Sequence, residues 1–148
     1  MYLKGVRGVG ETRNRRGMDA SRAIMASVLV VDDHPDLGPV LARLLQRAGH
    51  DTDFVSDGQS ALDYARRQRP AIMILDIMMP DMTGFDVLRA LRKDPANNNL
   101  SVVVYSALND PATRARAMEL GAQDFLVKAQ ASFDLLKSVV DRYSPPTH

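Results

Sequence analysis

The chain has 148 residues, 45% hydrophobic and 25% charged, with a formal net charge of +1, the composition of one ordinary globular domain able to bury roughly 70% of the surface its unfolded form exposes. It contains no cysteine, which excludes disulfides, thiolate metal sites and cysteine nucleophiles. No apolar run approaches the roughly 18 to 20 residues that span a bilayer, so neither a membrane span nor a secretory leader is expected, and a cytoplasmic location is.

The small net charge hides an asymmetry. Lys4, Arg7, Arg13, Arg15, Arg16 and Arg22 face only Glu11 and Asp19 within residues 1–26, so the remainder is net acidic. This Gly-containing basic segment has neither helical nor strand periodicity and reads as a flexible extension. A nucleic-acid arm is one reading of it. A disordered extension, or residues upstream of a start at Met18 or Met25, is the reading preferred, and no direct nucleic-acid binding is expected.

From Ser27 onward, short β-branched runs alternate with amphipathic stretches, as in repeated βα units forming a parallel α/β sheet. The runs Val28 to Val31, Thr52 to Val55, Ala71 to Leu75, Val102 to Tyr105 and Phe125 to Val127 predict five strands. The first, third and fourth are almost wholly apolar, as strands covered on both faces should be. Leu37, Val40, Leu41, Leu44, Leu45 and Ala48 recur at helical spacing and end at Gly49. Further helices are predicted at Gln59 to Arg67, Phe85 to Arg92, Pro111 to Leu120 and Phe133 to Tyr143, the fourth opened by Asp110-Pro111 and closed by Gly121. Ala112, Ala115 and Met118 are that helix's inward candidates, so it should bury little and be weakly held. Residues 27–143 form the expected domain, residues 144–148 a short tail, and no linker leads toward an output domain.

The predicted strands run into polar groups at their carboxyl ends: Asp32 and Asp33, Asp76, Ser106, and Lys128. Ligands of open parallel sheets bind outside those ends. Carboxylates held together either protonate or recruit a cation, and an oxygen-only ligand set points to a hard ion such as Mg²⁺. A site of that kind accepts a phosphoryl group. Asp76 is the candidate nucleophile, with the metal, Lys128 and Ser106 offsetting charge on the transferred oxygens. Taken singly, each residue has an ordinary explanation as a cap, turn or surface residue; their joint placement at four strand ends is the signal.

VLVVDDHP (28–35), ILDIMMPDMTGFDVL (74–88), VVYSA (103–107) and GAQDFLVKA (121–129) together resemble the receiver domains of two-component response regulators, over about residues 27 to 143. The resemblance implies a doubly wound five-stranded parallel sheet of order 2-1-3-4-5, the flavodoxin-like fold. It implies Asp76 as phosphoacceptor, Asp33 as direct Mg²⁺ ligand, Asp32 acting largely through water, and the Met78 backbone carbonyl as a further ligand. Ser106 would be the switch hydroxyl, Lys128 the phosphoryl-contacting cation and Phe125 the aromatic that changes rotamer. The donor would be a sensor histidine kinase or phosphotransfer protein. A downstream protein, or a second copy of the chain, would dock on the 111–120 helix, the last strand and the last helix, where Leu135 and Val139 widen an apolar face.

Two positions depart from the family pattern. Lys128 is followed by Ala129 rather than proline, and a non-proline cis bond costs about 3 kcal/mol, which leaves the geometry of this bond and the reach of Lys128 open. Met78 is apolar and cannot orient an attacking water, which is compatible with a long phosphoryl lifetime. His34 reads as a turn residue at the site mouth rather than a metal ligand. Met73, Met78, Met79 and Met82 read as packing.

The expected function is that of a phospho-accepting signalling module, which is no enzyme beyond its own phosphorylation and slow autodephosphorylation. A phosphorylation-independent interaction module on the same fold is the alternative, though such modules usually lose the acidic pair or the acceptor. An aspartyl-phosphate hydrolase is less compatible, because Asp32-Asp33-His34 lacks the usual Asp-x-Asp spacing.

Overall fold

A computed structural model describes residues 26–144; the expectations for the basic N-terminal segment and the last residues of the tail lie outside the described residues. Five strands, β1 (Ser27–Val31), β2 (Asp51–Val55), β3 (Ile72–Leu75), β4 (Ser101–Ser106) and β5 (Asp124–Val127), alternate with α1 (Leu37–Arg47), α2 (Gly58–Gln68), α3 (Gly84–Lys93), α4 (Pro111–Glu119) and α5 (Phe133–Tyr143). All pairings are parallel, in the order β2-β1-β3-β4-β5. Each expected element is present, with ends shifted by a residue or two.

Alternation along the strands divides the core into two layers. Leu29, Val31, Met73, Leu75, Val102 and Val104 pack under α2, α3 and α4. Val28, Val30, Ile72, Ile74 and Val103 point to the other face, against Leu41, Leu45, Leu136, Val139 and Val140 of α1 and α5. Successive strand residues serve opposite faces, so a strand buried on both sides must be apolar throughout. This explains the lack of polar interruption in β1 and β3.

Helix starts follow local hydrogen-bonding chemistry. Asp57, Thr83, Asp110 and Ser132 each accept a backbone N–H from the first turn of their helix, and Thr83 with Asp86 completes a reciprocal capping box. α1 is different: the Asp36 side chain makes no capping bond. His34 substitutes for it, its Nδ1 accepting from the N–H groups of Asp36 (3.2 Å) and Leu37 (3.3 Å). His34 is thus a turn and cap residue, as its sequence context suggests.

α4 corrects one expectation. Ala112, Ala115 and Met118 are exposed, and Ala117 is the helix's one buried residue, flanked by the partly buried Thr113 and Leu120. Small and charged residues surround this helix evenly, so periodicity does not mark its inner side; the strap described next and the α4 arginines set its rotation. The expectation of slight burial holds. On α5, Val139 belongs to the core while Leu135 is exposed, so only Leu135 extends the apolar surface outward.

Arg92 provides that strap. From the end of α3 its guanidinium donates to the carbonyls of Asn98 (3.1 Å), Leu100 (2.9 Å) and, beyond α4, Gly121 (2.7 Å). Gly121 has φ +98° and its missing Cβ leaves room for the Arg92 side chain. The carboxyl end of α4 is therefore fixed to the α3–β4 loop.

Candidate functional site

β1 and β3 are sheet neighbours, and the chain leaves them in opposite directions across the sheet, creating a crevice at their carboxyl ends. Asp32 and Asp76 stand at its two lips. The ladder continues into both: Asp32 N–H donates to the Val55 carbonyl (3.2 Å) and Asp76 N–H to the Val31 carbonyl (3.0 Å). Strand pairing, rather than loop conformation, sets where these carboxylates emerge.

Asp32 and Asp76 are 2% and 5% exposed, whereas Asp33 is open to solvent. One carboxylate oxygen from each of the three residues falls within 4.8 Å of the others. The Lys128 ammonium enters from the far edge strand, 2.6 Å from Asp32 Oδ2 and 3.2 Å from Asp76 Oδ2. The second oxygens are also engaged, Asp32 Oδ1 by His34 N–H (2.8 Å) and Asp76 Oδ1 by Met78 N–H (3.3 Å). Two buried anions thus share one cation and two backbone donors.

Burial raises the Asp76 carboxyl above its usual range; the charge of Lys128 opposes this and that of Asp32 reinforces it. Burial alone would pull the Lys128 ammonium down, but its hydrogen bond to Asp32 and the charges of Asp76 and Asp32 outweigh that and hold it above its ordinary value. The group is poised with too little positive charge for its carboxylates. An oxygen-only cluster of this kind suits a hard divalent cation such as Mg²⁺.

Lys128 reaches the acids through a trans bond, because no peptide among the described residues is cis. Its base is fixed by the β4–β5 ladder: Ser106 pairs with Val127, and Lys128 N–H donates to the Ser106 carbonyl at 2.8 Å. A turn follows in which the N–H groups of Gln130 and Ala131 both donate to the Val127 carbonyl. No proline is needed for that geometry.

The remaining expected residues lie around this centre. Ser106 is fully buried at the end of β4, and its Oγ accepts from Leu108 N–H (3.2 Å), holding the β4–α4 loop rather than touching the carboxylates. The Met78 side chain is 58% exposed beside Asp76, while Met73 and Met79 are buried and Met82 packs against the core. Phe125 is 2% exposed and points into the α2–α4 layer.

Two supporting positions escaped sequence reasoning. A Cβ on Gly84 would collide with the Asp76 carbonyl oxygen and the Ile77 backbone, and Gly84 N–H donates to the Ile77 carbonyl (2.9 Å). The start of α3 is therefore pressed against the backbone that carries Asp76. Asp81 has φ +69°, and Met82 N–H folds back to the Pro80 carbonyl (2.7 Å), a tight turn in backbone space that costs a non-glycine residue energy. A glycine directly after the Thr83 cap was the available signal for the first; nothing local marks the second.

Comparison with known proteins places this geometry in context. The model of the response regulator receiver domain family matches residues 28–140. The chain is 39% identical over 102 residues to the probable transcriptional regulatory protein TcrX of Mycobacterium tuberculosis, covering 69% of this chain and 43% of that protein. It is 40% identical over 103 residues to the response regulator PleD of Caulobacter vibrioides, covering 70% of this chain and 23% of that protein. It therefore spans less than half the length of these curated relatives. Among solved structures it is similar to the receiver domain of the Francisella response regulator 1452 (TM-score 0.74, 30% identity, 80% of this chain and 95% of that one). It is likewise similar to chemotaxis response regulator CheY4 of Vibrio cholerae (TM-score 0.74, 29% identity, 80% and 98%). The sheet order matches the fold that the motifs implied, and the chain belongs to the response regulator receiver domain family.

Proposed function

We propose that the chain is a phospho-accepting receiver, taking a phosphoryl group onto Asp76 from a phosphohistidine of a sensor kinase or phosphotransfer protein. The observation that carries this reading is the Lys128 ammonium bridging Asp32 and Asp76 with the Asp33 carboxylate beside them. A carboxylate oxygen of Asp76 attacks phosphorus, a P–O bond forms as the N–P bond breaks, and the departing imidazole nitrogen recovers a proton from solvent. Asp76 must be ionised to do this, and Lys128 favours that form against the effect of burial. Asp33 and Asp32, with the Met78 backbone carbonyl, would hold Mg²⁺, which when bound neutralises charge on the phosphoryl oxygens. Lys128 contacts the transferred group, and Ser106 releases Leu108 N–H to donate its own hydroxyl proton to a phosphoryl oxygen. The loop after β4 then moves, and Phe125 and the poorly buried α4 respond, changing affinity for a downstream protein at α4, β5 and α5.

The exposed thioether of Met78 offers no group to orient water at Asp76, which favours slow loss of the phosphoryl group. With all three acids present, the phosphorylation-independent module is the weaker reading. A hydrolase of small phosphate esters is weaker still. The test is intact-mass analysis after incubation with Mg²⁺ and a small acyl phosphate. One phosphoryl group should be gained, and Asp76→Asn should gain none. A wild-type chain left unmodified by both acyl phosphate and phosphorylated donor proteins would overturn the proposal, and rapid multiple turnover of a phosphate monoester would establish the hydrolase instead.

A further inference from the structure

We propose that Tyr105 is a positioning residue for Lys128, its ring serving as a third partner that keeps the ammonium at the crevice beside the two carboxylates. This rests on the reading of Lys128 as the cation that meets the transferred group, and deepens it by naming what holds that cation besides the acids. The β4–β5 register brings the two side chains together. Tyr105 pairs with Leu126 and belongs with it to the layer under α1 and α5, whereas Val127 packs against the opposite layer. Side chains alternate along a strand, so Lys128 leaves the end of β5 on the side that Tyr105 occupies. Its Nζ lies over the Tyr105 ring, 5.9 Å from the centroid. The ring is 8% exposed and part of the core, a fixed surface rather than a mobile one.

This third partner matters because the backbone fixes only the base of Lys128, at the Ser106 carbonyl (2.8 Å), and a flexible stem separates that base from Nζ. At the tip, Asp32 Oδ2 (2.6 Å) and Asp76 Oδ2 (3.2 Å) accept from Nζ. An oxygen of a phosphoryl group arriving at Asp76 competes with them for the same N–H groups, so the oxygen partners of the ammonium change during transfer. A ring face attracts the cation through its quadrupole and leaves the N–H groups to the oxygens. Its hold therefore lasts through that exchange. Burial keeps the Tyr105 phenol above its ordinary 10.0, with Lys128 opposing and Asp32 reinforcing. The ring thus meets the ammonium as a neutral group at neutral pH, and adds no charge to a crevice already crowded with carboxylates.

The test compares the full-length wild type with Tyr105→Phe, which keeps the ring, and with Tyr105→Leu and Tyr105→Met, which keep apolar volume without it. Exchange of the Lys128 ammonium protons with water is read from the Nζ magnetic resonance signal without any phosphoryl donor, and phosphoryl uptake from acetyl phosphate with Mg²⁺ is followed by intact mass. Tyr105→Phe should match the wild type in both. Tyr105→Leu and Tyr105→Met should exchange faster and take up the group more slowly, each by about three- to tenfold, the range that one partly desolvated cation–π contact supplies. In urea unfolding, Tyr105→Leu should lower the folding equilibrium constant more in the wild-type chain than in Lys128→Met, by a similar factor, because only the former has a cation to lose.

Unchanged ammonium exchange and uptake in Tyr105→Leu and Tyr105→Met would overturn the proposal. So would a Tyr105→Phe variant as impaired as they are, which would place the effect in the hydroxyl, or equal costs of Tyr105→Leu with and without Lys128, which would make the ring a core residue and nothing more. If the wild type takes up no phosphoryl group at all, the phosphoacceptor reading fails, while ammonium exchange and the comparison with Lys128→Met still decide whether Tyr105 holds the ammonium.

Discussion

Replacing Lys128 with methionine keeps most of the side-chain volume and removes the charge, leaving Asp32 and Asp76 buried without their shared cation. At an effective dielectric of about 20, contacts of 2.6 and 3.2 Å correspond to roughly 6 and 5 kcal/mol of gross attraction, most of it offset by desolvation. Breaking a fully buried pair costs about 3 to 5 kcal/mol. Lys128 is 19% exposed and a carboxyl can take up a proton, so about 2 to 3 kcal/mol is expected at neutral pH. Urea unfolding followed by far-ultraviolet circular dichroism measures it. The pH dependence carries the sign. Because burial holds the folded Asp76 carboxyl above its ordinary 3.8, its stabilising contribution is present below that value and lost as pH rises through the raised one. Without Lys128 the carboxyl rises further, so the deficit of the variant should shrink on acidification. Adding Asp32→Asn should recover much of the loss at neutral pH. Mg²⁺ should stabilise Lys128→Met more than wild type, since a bound cation replaces the missing charge. A variant unfolding at the wild-type urea midpoint at neutral pH would refute the idea that Lys128 compensates these carboxylates.

Alkaline titration offers a companion measurement: the raised Lys128 ammonium contributes stability below its ordinary 10.5 that is lost as pH rises through the folded value, a loss absent from Lys128→Met. Gly84→Ala should cost about 1 to 3 kcal/mol in chemical denaturation, because its methyl meets backbone that cannot move aside; it should also slow phosphoryl uptake in the mass assay by displacing Asp76. Asp81→Gly should raise stability by about 0.5 kcal/mol, relieving a positive φ at the expense of a freer unfolded chain. Arg92→Met should cost about 2 to 3 kcal/mol by stranding the carbonyls it serves, and hydrogen exchange should place the loosening at Gly121 and the carboxyl end of α4.

How far the molecule was legible depended on whether a feature is local or periodic. Two-sided burial writes itself into β1 and β3 as unbroken apolar runs, and the acids that end them are visible because a charge after such a run is out of place. Asp110-Pro111 announces its helix by chemistry confined to one turn. Arg92 was not legible, since its partner Gly121 lies 29 residues away and its role depends on carbonyls that any residue carries. The inner side of α4 was misread because alanines and arginines at every angle give no stripe, and what orients the helix includes guanidiniums on aromatic rings. His34 could be assigned to a turn, but not to capping α1, because a ring nitrogen three residues upstream is no ordinary cap. Lys128 stood out by its type and its place after the last strand, while its reach to Asp32 and Asp76 depended on the β4–β5 register.

That register has a consequence for how the chain acquires its chemistry. Asp32, Asp76 and Lys128 come from β1, β3 and β5, the last an edge strand separated from β3 by β4. The pairing that gathers the two acids closes the long stretch from Val28 to Ile72, whereas the pairing that places Lys128 closes the shorter one from Val103 to Asp124. A chain in which β5 alone has come away still holds its acids between β1 and β3, yet lacks the ammonium that restrains them. Such a chain would relieve its carboxylates by taking up protons or a cation. Fraying at the edge of the sheet is thereby felt two strands inward, as a change in the charge carried by Asp32 and Asp76.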